Sequence, residues 1–407
     1  MYTSSILDAN LPLAGLRVID AATYIAAPCA AAMLADFGAE VIKIERPPAG
    51  DPFRGLAYTP TMPRSAHNYS FQVDNRNKRS LTLNLGSPEG QEIFRKLISN
   101  TDVLVTNYQP QMQAKFRLRY EDLSPLNDRL IYAMVTGYGD KGDEAEKAGY
   151  DMTAYWARSG LMGYLHNEDA DPACSPCGFG DHPTSVSLFS AILLALYRRM
   201  HTGKGGKVWT TLVHNGVWSN ASLTQAALCG DAVWPAHQRR DAQLNPLVNH
   251  YRTSDGKRVL FCLLDADRDW RKLCVALAHP EWVDDPLLAS TDARRDNNRA
   301  VIALLDQAME QRPLHEWQAL FAQHDVLYGI VPSIPEVAAD PQLEINGVFK
   351  PVEGASYRTI DSPMHVEGME KRPATLAPEI GQHNSEILRE LGYSDADVAA
   401  LRQKGVH

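Results

Sequence analysis

At 407 residues the chain is too long for one small core, and 44% hydrophobic content is enough to fill more than one. A net charge of -9 and an isoelectric point near 5.8 exclude a general nucleic-acid binder, because no basic surplus exists to displace phosphate counterions. No stretch approaches the ~20 uninterrupted apolar residues of a membrane span; Met1–Asn10 lacks the basic and apolar regions of a signal peptide, and six scattered cysteines make no disulfide framework, so a cytoplasmic protein without membrane contact is expected.

In chain order, Leu16–Asp20 reads as a buried strand, Ala30–Phe37 as a helix stopped by Gly38, and Val41–Glu45 as a second strand. Strand, helix and strand within about 30 residues is the signature of a parallel sheet. No G-x-G-x-x-G follows the first strand, so nothing points to a dinucleotide. Ser80–Leu85, Asp102–Thr106 and Leu130–Val135 read as further strands and Pro88–Ser99 as a helix. Three to five strands alternating with helices imply an α/β fold: a Rossmann-like, doubly wound parallel-sheet domain over residues 1–225, completed by 332–407, with a smaller α+β domain at 226–331. In the smaller domain Pro235–Asn249 reads as polar loop, Arg258–Leu264 as strand, and Asp267–Leu277, Asn297–Glu310 and Leu314–His324 as helices. Val326–Val331 is expected to lead back to the first domain, and Ser385–Leu391 and Asp395–Gln403 to form a helical tail.

Between the domains' motifs stands Cys177-Gly178-Phe179-Gly180-Asp181-His182-Pro183, followed by Val186, Phe189, Leu193, Leu196 and Tyr197 at helical spacing and closed by Gly203. Pro183 suits the first helical position, which makes Asp181 or His182 the N-cap. An Asp there serves either as a cap or, delivered by a glycine-framed turn, as a carboxylate for chemistry. Two basic clusters, Asn75–Arg79 and Lys115–Arg119, read either as a polyphosphate surface with Phe116 stacking on a base or as solvated charge. Cys174 and Cys177 form a lone C-x-x-C with no second pair, so no metal site is expected.

The order of Leu13–Asp20, Phe37–Arg46, Asn77–Ser80, Gly149-Tyr150-Asp151, Gly180-Asp181, Thr202–Gly205 and Leu391–Ser394 resembles the class III CoA-transferases (CaiB/BaiF type; formyl-CoA:oxalate, carnitine and 2-hydroxyacyl enzymes) over nearly the whole chain. The resemblance implies that Asp181 is a nucleophile. It also implies that Arg46, Lys78, Arg79, Leu83, Asn107, Lys115 and Phe116 line the coenzyme A surface, and that Ile25, Tyr150, Asp151 and His182 lie at the acyl group. It further implies an interlocked homodimer, coenzyme A thioesters and carboxylic acids as substrates, and no permanently bound cofactor. Ile25 stands where the formyl-CoA:oxalate enzymes carry Gln, which argues against oxalate. The stretches 150–160, 178–182 and 245–249 look closest to the phenyllactate and 2-hydroxyisocaproate branch, with dicarboxylate enzymes as the alternative; His166, Arg158 and Arg239 are the cations available for a second carboxylate.

Transfer of coenzyme A suits a carboxylate, which can form an anhydride and then a thioester at one side chain. Backbone N–H groups of Gly178 and Gly180 are expected to hold the oxyanion, and the helix start to keep Asp181 ionised. Tyr155 and Trp156 read either as pocket wall or as core. An α-methylacyl-CoA racemase of the same fold is the rival; it needs a His in Thr-Gly-His-Gly, where this chain has Thr136-Gly137-Tyr138-Gly139. A non-catalytic acyl-CoA binder is the third reading, in which Asp181 is only a cap.

Overall fold

The computed structural model describes residues 11–234 and 237–407; the expectations for Met1–Asn10 and Pro235 lie outside them. The chain divides into two compact units: a larger one of Met1–Gly163, Cys174–Ala232 and Asn346–His407, and a smaller one of Tyr164–Ala173 and Val233–Ile345. The boundaries therefore differ from those expected at 226 and 331, and a short segment at 164–173 joins the smaller unit as well.

The larger unit is built on a six-stranded parallel sheet, β1 (Arg17–Ala21), β2 (Glu40–Glu45), β3 (Lys78–Thr82), β4 (Val103–Thr106), β5 (Ile131–Thr136) and β6 (Gly206–Thr211), in the order β3-β2-β1-β4-β5-β6. This is the doubly wound order, with the reversal between β1 and β4. Successive residues of each strand feed opposite cores. Val18, Val41, Val103, Val105, Ile131 and Ala133 pack on one side, with helix α1 (Ala26–Asp36). Ile19, Ile42, Leu104, Tyr132 and Met134 pack on the other. A sheet covered on both faces needs mostly apolar strands at its centre, as in β1, β4 and β5; the edge strands β3 and β6 are polar or mixed. The expected strand at Ser80–Leu85 is observed at Lys78–Thr82; Leu83 still donates to the Glu45 carbonyl at 2.8 Å, and the chain leaves the sheet at Asn84, whose N–H goes to the Val406 carbonyl.

Helix α2 (Tyr69–Asn75) precedes β3, α3 (Pro88–Ile98) is capped by Ser87 and follows it, and α4 (Pro110–Lys115) and α5 (Tyr120–Leu123) lie between β4 and β5. A π-helix at Asp151–Ala157 and the one-turn α6 (Leu161–Tyr164) come next, then α7 (Asp181–Thr202), β6, α8 (Leu212–Ser219) and α9 (Ala221–Cys229).

In the smaller unit β7 (Val248–Arg252), β8 (Arg258–Cys262) and β9 (Tyr328–Ile330) form an antiparallel sheet. Tyr328–Ile330 was expected to lead out of this unit; it pairs with Val259–Phe261 instead, and β7 falls in what reads as loop. Helices α10 (Ala266–Ala276), α11 (Thr291–Asp296), α12 (Asn298–Met309) and α13 (Leu314–Gln323) close a core around Trp270, Phe261, Trp317 and Phe321, and α14 (Ile334–Ala338) and α15 (Pro341–Ile345) end the unit. The chain then returns to the larger unit through β10 (Phe349–Glu353), β11 (Arg358–Ile360), β12 (Ala374–Thr375), α16 (Asn384–Glu390) and α17 (Asp395–Gln403). Ile387, Leu388, Val398 and Leu401 of this tail complete the second core.

Candidate active site

Asp181 is the first residue of α7, and Gly180 is its N-cap. The expectation that Pro183 opens the helix is corrected: Pro183 is third, where its missing N–H is still among the unbonded first amides. Asp181 is thus not a side-chain cap. Among the described residues its carboxylate makes no hydrogen bond or ion pair. Phe189 buries into the core with Val186, Leu193 and Leu196 against it, whereas Tyr197 is 64% exposed, because each step of four residues rotates about 40° around a helix. Gly203 adopts φ 70° and donates to the Arg199 carbonyl at 2.8 Å, and Arg199 pairs with Asp102 at 2.9 Å.

The turn before Asp181 is held on three sides. Gly178 donates its N–H to Asp151 Oδ2 at 2.8 Å, and its carbonyl accepts from His182 Nδ1 at 2.9 Å. Asp151 is buried at the start of the π-helix, and its Oδ1 accepts from the Met152 N–H at 2.7 Å. Gly178 has φ 80°, and a Cβ there would meet His182 Cε1 at 2.9 Å; a Cβ on Gly180 would meet Tyr155 Cγ at 2.3 Å. These glycines are required by the approach of His182 and Tyr155. The N–H of Gly178, expected at an oxyanion, is spent on Asp151; that of Gly180 has no acceptor among the described residues.

Burial pushes the Asp181 carboxyl up to about 7, with Asp151 and Asp74 adding to the effect and His182 opposing it. The expectation that the helix start alone keeps it ionised therefore needs a further cation. Burial works against protonation of His182, but Asp74, whose Oδ1 lies 3.2 Å from Nε2, outweighs it and raises the imidazole to about 9. Cys29, Asp74 and His182 bring one donor atom each within 4.8 Å of one another. Asp74 Oδ1 already accepts from His182, so the group is a proton-sharing pair with a thiol beside it.

Aromatic side chains surround the turn. Phe179, 51% exposed, meets Trp156 edge-on at 5.5 Å and Tyr155 at 6.5 Å; Tyr155 and Trp156 are themselves buried. Tyr150, 53% exposed, meets Tyr24 edge-on at 5.6 Å. Ile25 is buried with Phe53 and Phe71. Gly137 and Gly149 cross so closely that a Cβ on Gly149 would sit 2.7 Å from Gly137 Cα, and Tyr138 packs over the crossing.

The expected coenzyme A residues separate into two groups. Arg46 is exposed just past β2, Asn107 lies just past β4 holding both the N–H and the carbonyl of Thr23, and Lys115 is exposed beside half-buried Phe116. The others do not face solvent. Lys78 is fully buried, its Nζ bonded to Asp20 Oδ2, the Pro28 and Asp74 carbonyls and Asn75 Oδ1 at 2.8–2.9 Å. Arg79 is held by Glu40, Glu386 and Glu390, and Leu83 is core. Arg76, in the same cluster, is buried on Asp36. The Asn75–Arg79 run is therefore an interior ion network and not a phosphate surface. Of the cations considered for a second carboxylate, Arg158 pairs with Glu144, Arg239 with Asp169 and Asp241, and His166 stacks on His237. Asp74 and Tyr24 escaped the sequence reading; Tyr24, at φ 62°, follows a strand's carboxyl end, where ligands bind in such sheets.

Residues 13–384 match the model of CoA-transferase family III. The chain is 31% identical to (R)-2-hydroxy-4-methylpentanoate CoA-transferase of Clostridioides difficile, over 97% of this chain and 99% of that one. It is also 31% identical to human succinyl-CoA:glutarate CoA-transferase, over 97% and 90%. The crystal structure of a CaiB/BaiF family protein from Brucella suis superposes with a TM-score of 0.83 at 30% identity, covering 94% of this chain and all of that one. With the doubly wound sheet, these likenesses make the chain a member of CoA-transferase family III, an enzyme of the CoA-transferase class.

Proposed function

We propose that Asp181 carries the transferred group covalently. Its carboxylate attacks the donor thioester carbonyl, the C–S bond breaks, and an aspartyl-acyl anhydride and coenzyme A thiolate result. The thiolate then attacks the aspartyl carbonyl, releasing the donor acid and leaving an aspartyl-CoA thioester. The acceptor carboxylate attacks that thioester and displaces the thiolate; the thiolate takes the acceptor acyl group from the new anhydride, and Asp181 returns as a carboxylate. The observation that carries this reading is a carboxylate with no hydrogen-bond or ion-pair partner among the described residues, on a turn held by Asp151 and His182. The Gly180 N–H is the amide available to a developing oxyanion. Arg46, Asn107, Lys115 and Phe116 are the coenzyme A contacts; Lys78, Arg79 and Leu83 act behind them as framework.

The substrate acids are apolar monocarboxylates, branched or aromatic. Phe179 on the turn and Tyr150 next to Asp151 offer exposed rings, and Arg158 and Arg239, the arginines considered for a second carboxylate, are paired elsewhere. The chain acts as a homodimer.

With an apolar acyl-CoA donor, Asp181→Ala should lose transfer by at least a thousandfold while still binding the thioester. Hydroxylamine added during turnover should convert Asp181 of the native enzyme to a hydroxamate detectable by peptide mass. Retention of transfer by the variant, or an unmodified Asp181, would overturn the reading. Dicarboxylic acceptors matching apolar ones in rate would overturn the substrate class.

A further inference from the structure

Three carboxylates converge on the catalytic turn: Asp181 at the head of α7, Asp151 at the head of the π-helix and Asp74 on α2. Asp151 is satisfied by two backbone amides. Asp74 is in a different position. Its side chain is 2% exposed, and among the described residues no Lys or Arg bonds its carboxylate: Arg76 is bonded to Asp36, and Lys78 to Asp20. Beside the Cys29 thiol, its carboxylate meets only His182. Arg76 and Lys78 act on the Asp74 carboxylate only through space, so among the described residues the imidazole is the one cation placed to hydrogen-bond this buried carboxylate. The ring geometry agrees. Nδ1 points at the Gly178 carbonyl and Nε2 at Asp74 Oδ1, two acceptors that each require a proton on the ring nitrogen facing them.

We propose that Asp74 is a positioning residue that keeps His182 doubly protonated, and that this imidazolium both locks the Gly178 carbonyl and supplies positive charge beside Asp181. The proposal rests on the reading of Asp181 as nucleophile. His182 is then neither a general base nor a general acid, since both its protons are committed to protein acceptors. It acts through charge and through the turn. The titratable groups facing it are Cys29 from α1, Asp74 from α2 and Asp181 of its own helix; Arg76, just past α2, acts on Cys29 and Asp74, and Asp151 acts on Asp181 and Cys177. Burial and the nearby carboxylates push the Cys177 thiol up to about 11, so it supplies no competing charge near neutrality.

Two measurements test this separately from the nucleophile. In histidine-labelled enzyme, the His182 ring signal, identified by its loss in His182→Gln, should titrate near 9 in the native protein. It should move down by about two units, towards the ordinary histidine value, in Asp74→Asn. Transfer rates should follow: kcat/KM of the native enzyme rises through about 7 with ionisation of Asp181 and falls near 9 as His182 loses its proton. Asp74→Asn should draw the alkaline limb down by a similar interval and lower the maximum about tenfold. A native His182 that is neutral at pH 7.5 overturns the proposal whether or not Asp74→Asn folds. So does an Asp74→Asn profile reduced in height with its limbs unmoved, the mark of a merely structural role. Loss of activity on dialysis against EDTA with recovery on Zn²⁺ would also overturn it, since the trio would then be ligands. Asp181→Asn should keep a high His182 titration while losing transfer, so failure of the nucleophile reading shows itself independently.

Discussion

Asp181 pays for its position in stability. Its carboxyl titrates near 7 in the folded chain against about 4 when unfolded. Between those values the folded state holds a proton that the unfolded state has lost, so stability falls as pH rises through this window, and above it the whole cost is borne. His182 adds a decline of its own, because its raised value makes a contribution that is full below about 6.5 and lost as pH rises through about 9. Asp181→Asn should therefore melt with the native enzyme near pH 4 and above it at pH 8. The gain should be on the order of 1–2 kcal/mol, less than the shift alone implies because the side chain keeps some solvent contact. Calorimetry at the two pH values decides it; equal melting at pH 8 would show the site unstrained. Of this residue's surroundings the sequence displays Asp181, His182 and the glycines. Asp74 was illegible, because nothing in Ser70-Phe71-Gln72-Val73-Asp74 says that a residue 108 positions later will meet it.

Elements were read best where burial is uniform. The runs in β1, β2, β4 and β5 are apolar on both faces and announce themselves. β6, Gly206-Lys207-Val208-Trp209-Thr210-Thr211, is an edge strand of mixed polarity, and it was missed with β7 and the π-helix. Charge misled for a related reason. Asn75–Arg79 looks like solvated or ligand-binding cation, and only the fold reveals that Asp36, Asp20 and Glu386 lie against it. The two basic clusters should consequently respond in opposite ways. Lys78→Ala strips buried Asp20 of its 2.8 Å partner, leaves it only Lys43 at 3.6 Å, and should cost about 3 kcal/mol in urea unfolding. Lys115→Ala should leave unfolding unchanged within about 0.5 kcal/mol and raise KM for acyl-CoA severalfold. A stable Lys78→Ala enzyme with a raised KM would reverse the assignment of framework and ligand contact.

The whole molecule leaves α7 to α9 unfinished. Leu194, Met200, Trp218 and Leu228 are 71–81% exposed, and a groove of about 330 Å³ runs between Ala191, Leu194, Arg198, Lys207 and Trp209. Exposed apolar side chains in such number are what a dimer interface would bury, and the proposed homodimer accounts for them. Sedimentation should give about twice the 45.1 kDa of one chain, and an interlocked pair should hold that mass on dilution to nanomolar concentration. A protein that sediments as one chain would remove the dimer, and one that dissociates on dilution would remove the interlocking.

The division of the chain also sets an order of events. The smaller unit is almost entirely one continuous segment, Val233–Ile345, interposed before the larger unit is complete. The groups that cover the outer side of β3 come after it: Thr375 and Ala377 hold Asn77 and Gln72, and Glu386 and Glu390 join Glu40 on Arg79. During synthesis the sheet waits with β3 as an uncovered edge until the last sixty or so residues arrive, while the insert can already be folding. The nascent chain is thus exposed longest at the strand that begins with Lys78, and premature termination within Asn346–His407 would release a protein with its smaller unit complete in sequence and its larger unit open along one side.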